Sequence, residues 1–216
     1  NFIARVETDD QWLTAEQDNI ILHYRPADFS EKRSPTAQEA EIITENQSVY
    51  FRAIQDSIRR RFEDKVLIYL YNRDEAKDAI GTNAGGHAIP VLHTYYYTFI
   101  TNRREFSDQY GIVNPVIGCH ELVHVITHRC LGYPGTRMMS EGYAVWLDPM
   151  YGGFTVDSLM KRYYTAEPEK ILTPNQLLEE TVDTEAVYYP NCGFLLRFLV
   201  HTYGVDKINT LFSVRR

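Results

Sequence analysis

Cysteine is scarce in this chain, with Cys119, Cys130 and Cys192 the only three among 216 residues. So small and odd a number excludes a disulfide framework. None of the three has the paired spacing of a zinc knuckle, so buried free thiols are expected. Positive charge is also short: 22 Lys and Arg stand against 29 Asp and Glu, for a formal net charge of -7. That balance offers no general attraction to phosphate backbones or anionic lipids and argues against nucleic acid as a partner. No apolar run approaches the roughly 18 to 20 residues of a membrane-spanning helix, and the first residues lack the short apolar core of a signal peptide. No transmembrane segment is expected in this chain. Repeats, low-complexity tracts and Gly/Ser-rich linkers are missing as well, so residues 1–216 are expected to form a single domain.

Hydrophobic residues at 44% and charged residues at 24% are ordinary for a folded chain of this length, and 16 Tyr and 10 Phe point to an aromatic-rich interior or groove. "NIILHY" at 19–24 and "KVLIYLY" at 65–71 are short β-branched or aromatic runs bounded by polar residues, and they read as strands. Between them Ser34 and Pro35 give a helix start, and Ala40, Ile43, Tyr50, Ile54, Ile58 and Phe62 recur at helical intervals. "RRRF" at 59–62 reads as the solvated end of that helix. The run "HAIPVLHTYYYTFIT" at 87–101 is rich in strand formers, and Pro90 favours a sheet edge because it has no N–H to donate. An extended peptide could add along residues 87–99 as a further strand, while Tyr95 to Tyr97 read as sheet packing.

From 114 onward the signals are helical: a start at Asn114 and Pro115 with a stop at Gly132, a helix in 173–180, one from Asn191 to Gly204, and a last one in 205–214. A strand-rich part (1–113) followed by a helical part (114–216) is an α+β arrangement, with a small mixed sheet carrying an antiparallel edge strand.

Within that helical part, "GCHELVH" at 118–124 contains H-E-x-x-H. On a helix starting at Pro115, His120 and His124 differ by about 40° in direction, so both imidazoles leave one side and can share a cation. Zinc suits them, and catalytic zinc takes three protein ligands and a water. Glu121 lies on the flank of the same face, placed to take a proton from that water. With 7 His in the chain, shuffling would produce the pattern roughly once in sixty tries, so context must decide. Leu122, Val123, Val125 and Ile126 make the helix a buried one. Two imidazoles and a carboxylate buried there without a metal would be costly unpaired polar groups. His128 is one turn further and too distant for the same ion, while His23, His87, His93 and His201 lack ligand spacing. Cys119 points away from the pair and reads as a core thiol.

Two continuations of the motif differ. A metzincin would place a third His six residues after His124, where this chain has Cys130. A gluzincin would place a Glu on a second helix, and "RMMSEGYAVWL" supplies Glu141 after the turn at Gly132 to Gly135. "CHELVHVIT", "MMSEGYAVWL" and "YPNCGFLLRFLVHTYG" resemble the three motif blocks of the peptidase-MA-like gluzincins, the compact thermolysin-type zinc metallopeptidases. "DNIILHYRP" and "AGGHAIP" are similar to that family's opening strand and edge segment.

The resemblance implies a zincin-like, thermolysin-like α+β fold, with His120, His124 and Glu141 as zinc ligands and Glu121 as general base. It also implies a peptide or protein substrate cleaved through zinc-bound water, and an extracytoplasmic placement (secreted, periplasmic or surface-anchored), in keeping with a chain that opens on Asn1 rather than Met. The Asp that the thermolysin branch carries four residues after its ligand glutamate is Val145 here, and Asp148 lies on nearly the same helical face. The aminopeptidase motif Gly-x-Met-Glu-Asn is missing, which favours a metalloendopeptidase over an aminopeptidase.

Counting back from "FLVHTYG" to the family's Tyr lands on Tyr189 as the donor to the tetrahedral oxyanion, with Tyr188 as competitor and ordinary packing as the other reading for each. Pro190 biases Tyr189 toward an extended conformation at the mouth of the following helix. The alternative to an enzyme is a non-catalytic zinc-binding or peptide-binding domain that keeps the peptidase fold, against which Glu121 argues. Substrate-binding residues and oligomeric state are left open by the sequence.

Overall fold

The computed structural model describes residues 12–25, 36–71, 86–98, 117–151, 154–179 and 184–214. The protein is a mixed α+β molecule whose chain forms two compact units, residues 1–51 with 63–117, and residues 52–62 with 118–216.

The first unit holds a five-stranded mixed sheet of β1 (Leu13–Gln17), β2 (Ile20–Tyr24), β3 (Val66–Tyr71), β4 (Gly86–Ile89) and β5 (Thr94–Thr98), in the order β1-β2-β3-β5-β4. β2, β3 and β5 run parallel, and β1 and β4 pair antiparallel at the two edges. Pro90 follows β4 directly and opens a short 3-10 turn, so the residue that cannot join a ladder ends an edge strand. Helix α1 (Ala37–Ile58) starts at Thr36. The Thr36 hydroxyl accepts from the Glu39 N–H and the Glu39 carboxylate accepts from the Thr36 N–H, a reciprocal cap. The expected start at Ser34 and Pro35 lies outside the described residues.

Gln47 lies in the buried stripe of α1 with both ends of its amide bonded: Oε1 accepts from the Tyr95 hydroxyl at 2.7 Å, and Nε2 donates to the Ile117 carbonyl at 3.1 Å. Tyr95 and Tyr96 are buried within the sheet, as packing residues. α1 stops at Ile58 rather than running through "RRRF", because Arg59 turns left-handed (φ 53°) and the Gln55 side chain accepts the Phe62 N–H. Beyond that stop, Arg59 and Arg60 pair with Asp206 and Arg61 pairs with Asp56.

The second unit is largely helical: α2 (His120–Leu131), α3 (Arg137–Leu147), a two-residue-strand hairpin β6 (Met150–Tyr151) and β7 (Phe154–Thr155), α4 (Val156–Ala166), α5 (Pro174–Leu178), α6 (Glu185–Tyr203) and α7 (Val205–Leu211). Thr136, Thr155 and Thr173 cap α3, α4 and α5 through their hydroxyls. Gly132 (φ 90°) ends α2, as expected.

Two helix starts differ from the sequence reading. α2 begins at His120, not Pro115. Residues 117–119 are not helical, and one Asp148 carboxylate oxygen accepts the N–H groups of both Cys119 (2.7 Å) and His120 (3.0 Å), which fixes the first turn from outside. α6 begins at Glu185, six residues before the expected cap at Asn191, and carries Pro190 inside it. Pro190 has no N–H for the Ala186 carbonyl, and the Tyr163 hydroxyl donates to that carbonyl instead at 3.0 Å. Asn191 is buried and bonds three backbone groups: its Nδ2 donates to the carbonyls of Lys170 and Val187, and its Oδ1 accepts the Leu172 N–H. Tertiary partners thus carry the helix through its proline. Among the described residues, no helix is long and apolar enough to cross a membrane.

Candidate metal centre

Two consecutive helices of the second unit build the site. His120 and His124 are the first and fifth residues of α2, one turn apart, and Glu141 is the fifth residue of α3. The apolar residues between them, Leu122, Val123, Val125 and Ile126, are fully buried and hold α2 in the core, so its polar face is aimed by packing.

The three donor atoms form a tight triangle. His120 Nε2 is 3.2 Å from Glu141 Oε2 and 3.2 Å from His124 Nε2, and His124 Nε2 is 3.5 Å from Glu141 Oε2. Donors about 2.0 to 2.1 Å from a tetrahedral zinc would stand about 3.3 to 3.4 Å apart, so the spacing suits a single small cation. Among the described residues this is the one set of three His, Cys, Asp or Glu side chains that converges in this way. Three protein donors is also the number typical of catalytic rather than structural zinc.

The charges around the triangle are arranged for a cation. Burial works against ionising Glu141, but hydrogen bonds from His120 and His124, together with their charge, outweigh it and hold the carboxyl down at about 2. Burial likewise opposes charging His120, and the Glu141 hydrogen bond with the charges of Glu121, Glu141 and Asp148 raises its pKa nonetheless. Three carboxylates, those of Glu121, Glu141 and Asp148, thus lie close enough for their charge to act on His120.

Behind the donors lies a second layer. The Ser140 hydroxyl is 3.2 Å from His124 Nδ1 and 3.4 Å from His128 Nε2, so it links the two imidazoles across the interface of α2 and α3. For His124 to offer its Nε2 lone pair to a cation, Nδ1 would carry the proton and donate to Ser140, whose own proton would then go to His128. Burial above all, with the neighbouring His124, lowers the His128 pKa to about 4, so it accepts as the neutral ring. Asp148 does not reach an imidazole. It acts on His120 through the backbone cap, while Val145, four residues after Glu141, is buried packing.

Each residue singled out from the sequence can be placed. His120, His124 and Glu141 come together. Glu121 sits half-buried in the first turn of α2, close enough for its charge to act on His120. Tyr189 is in α6 rather than extended as Pro190 suggested; its ring stacks on His120 with centroids 5.8 Å apart and planes 15° from parallel. Tyr188 is fully buried and donates its hydroxyl to the Leu177 carbonyl at 2.8 Å, which leaves Tyr189 as the tyrosine beside the donors. Cys119 and Cys192 are buried free thiols and Cys130 is a half-buried one.

Sequence reasoning missed Ser140, Arg137 and Glu185. Ser140 directly precedes Glu141, and Arg137 stands one helical turn before Glu141, a spacing that could have drawn attention to it. Glu185 stands one turn before Tyr189, but Pro190 hid that helix. No protein-family model matches the chain, and no curated protein shows significant similarity to it.

Proposed function

We propose that this chain is a zinc-dependent metallopeptidase of the gluzincin type, with a zincin-like fold, that hydrolyses internal peptide bonds. The observation that carries the reading is the donor triangle, whose 3.2, 3.2 and 3.5 Å edges suit a tetrahedral ion held by His120, His124 and Glu141. When bound, zinc would acidify a coordinated water and polarise the scissile carbonyl. Glu121 then takes the proton from the attacking water and passes it to the departing amine. Tyr189 donates to the oxygen on which negative charge develops. Ser140 and Asp148 fix the two histidines, one through its ring and one through its backbone.

The test joins metal content to turnover. Purified protein is expected to hold one zinc and to cleave a quenched peptide or casein, with loss of cleavage in chelator and recovery on zinc addition. Glu141→Ala should lose stoichiometric zinc. Glu121→Gln should keep it while turnover falls by about 10² to 10⁴. Fully zinc-loaded protein that cleaves nothing would favour the non-catalytic binding domain, and cleavage that persists in chelator would remove zinc from the chemistry.

A further inference from the structure

Arg137 is the first residue of α3 and precedes Glu141 by four positions, so its side chain leaves the same helix face as the carboxylate in the donor triangle. Its guanidinium lies 5.2 Å from the ring centre of Tyr188 and 5.5 Å from that of Tyr189. Tyr188 is immobile: it is fully buried, and its hydroxyl is spent on the Leu177 carbonyl. The cation therefore has a rigid aromatic wall behind it. From there one guanidinium nitrogen lies 3.2 Å from Glu185 Oε1 and 3.5 Å from the Tyr189 hydroxyl, and that hydroxyl lies 3.4 Å from the same Glu185 oxygen. The three groups close a triangle at the outer edge of the Tyr189 ring, whose face rests on His120.

We propose that Arg137 is a positioning residue that, braced on Tyr188 and paired with Glu185, fixes the Tyr189 hydroxyl while the ring stacks on the metal donor His120. A tyrosine with only ring stacking to fix it can flip or swing about χ1. Arg137 donates to the phenolic oxygen and so leaves the O–H as the outgoing donor, the orientation an oxyanion needs. Glu185 accepts that proton in the resting protein. It is an exposed carboxylate on a surface pair, an acceptor weak enough to give the proton up to a stronger one. The catalytic consequence rests on the peptidase reading, whereas the positional claim does not.

The experiment uses the whole chain labelled with ¹³C at the tyrosine ζ carbon, its Tyr189 resonance identified by its disappearance in Tyr189→Phe. Arg137→Gln and Glu185→Gln should each move that resonance by more than its linewidth with the zinc content as in wild type, and Tyr188, whose ring carries the Arg137 charge, should stay unmoved in Glu185→Gln. An unmoved Tyr189 resonance in both variants overturns the proposal, whether or not the protein is a peptidase. In a protein that turns over, Arg137→Gln should lower kcat about tenfold with little change in KM, and should lower it no further in the Tyr189→Phe background. Fully multiplicative losses would mean that Arg137 acts without Tyr189 and would also overturn it. Absence of wild-type cleavage sinks the peptidase reading alone, since the resonance still decides the positional claim.

Discussion

His124 can present Nε2 to a cation only while Nδ1 carries its proton, and the Ser140 hydroxyl, 3.2 Å away and buried, is placed to receive that proton. Without it the Nδ1–H tautomer loses its acceptor and χ2 is freer, so more of the population would face the metal with a donor rather than a lone pair. Ser140→Ala is therefore expected to weaken zinc binding by about 10- to 100-fold with the fold intact, measured by competition with a chromophoric chelator. Affinity equal to wild type would mean that His128 or packing alone orients the ring. The two histidines were legible, because their one-turn spacing defines a direction before any fold is known, whereas Glu141, on a second helix, was reached through the gluzincin continuation of the motif. Ser140 was not. A serine in a buried helix carries no signature of its own, and only the crossing of α2 and α3 reveals that its hydroxyl meets two imidazoles.

Helices α3 and α6 bring Glu141 and Tyr189 to the same site, and they approach each other where side chains are smallest. A Cβ on Gly193 would sit 2.5 Å from Val145 Cγ1 and 2.8 Å from its Cβ, and one on Gly142 would sit 3.2 Å from Leu196 Cβ and 3.3 Å from the Cys192 carbonyl. The Gly193 contacts lie on the stiff, β-branched part of a buried valine, which has no rotamer that clears them. Gly193→Ala should thus push the two helices apart and destabilise the protein by about 1 to 3 kcal/mol in urea unfolding. Where the variant still folds, it should also weaken metal binding, because the backbone that carries Glu141 moves with Val145. A fully stable Gly193→Ala protein would show that the interface can relax at no cost.

Elements set by local preference were readable, and those set by distant partners were not. β2, β3 and the glycine stop of α2 follow from local preference, and the structure agrees with them. The starts of α2 and α6 do not, since Asp148 sets one from 28 residues away and Tyr163 and Asn191 sustain the other through Pro190. Proline signals at 115 and 190 describe what the isolated chain prefers, and tertiary hydrogen bonds override that preference.

For the molecule as a whole, the donor triangle is a site that exists only in the folded chain, because His120, His124 and Glu141 are brought within 3.5 Å by the packing of α2 on α3. Any ion held there binds the native state and not the unfolded one, so its binding free energy adds to folding stability. At a free zinc concentration a thousandfold above the dissociation constant the gain is about 4 kcal/mol, which for a chain of this size corresponds to a rise in Tm of roughly 10 °C. Zinc addition to chelator-treated protein should therefore raise Tm by that order in a thermal melt. The rise should grow with zinc concentration and be lost in Glu141→Ala. Magnesium, which prefers six oxygen ligands, should not reproduce it. A nonspecific effect of divalent charge on a protein of net charge -7 would instead appear with either ion and survive the substitution. A melt that zinc leaves unchanged in the wild-type protein would mean that the triangle is a hydrogen-bonded polar cluster and not a binding site.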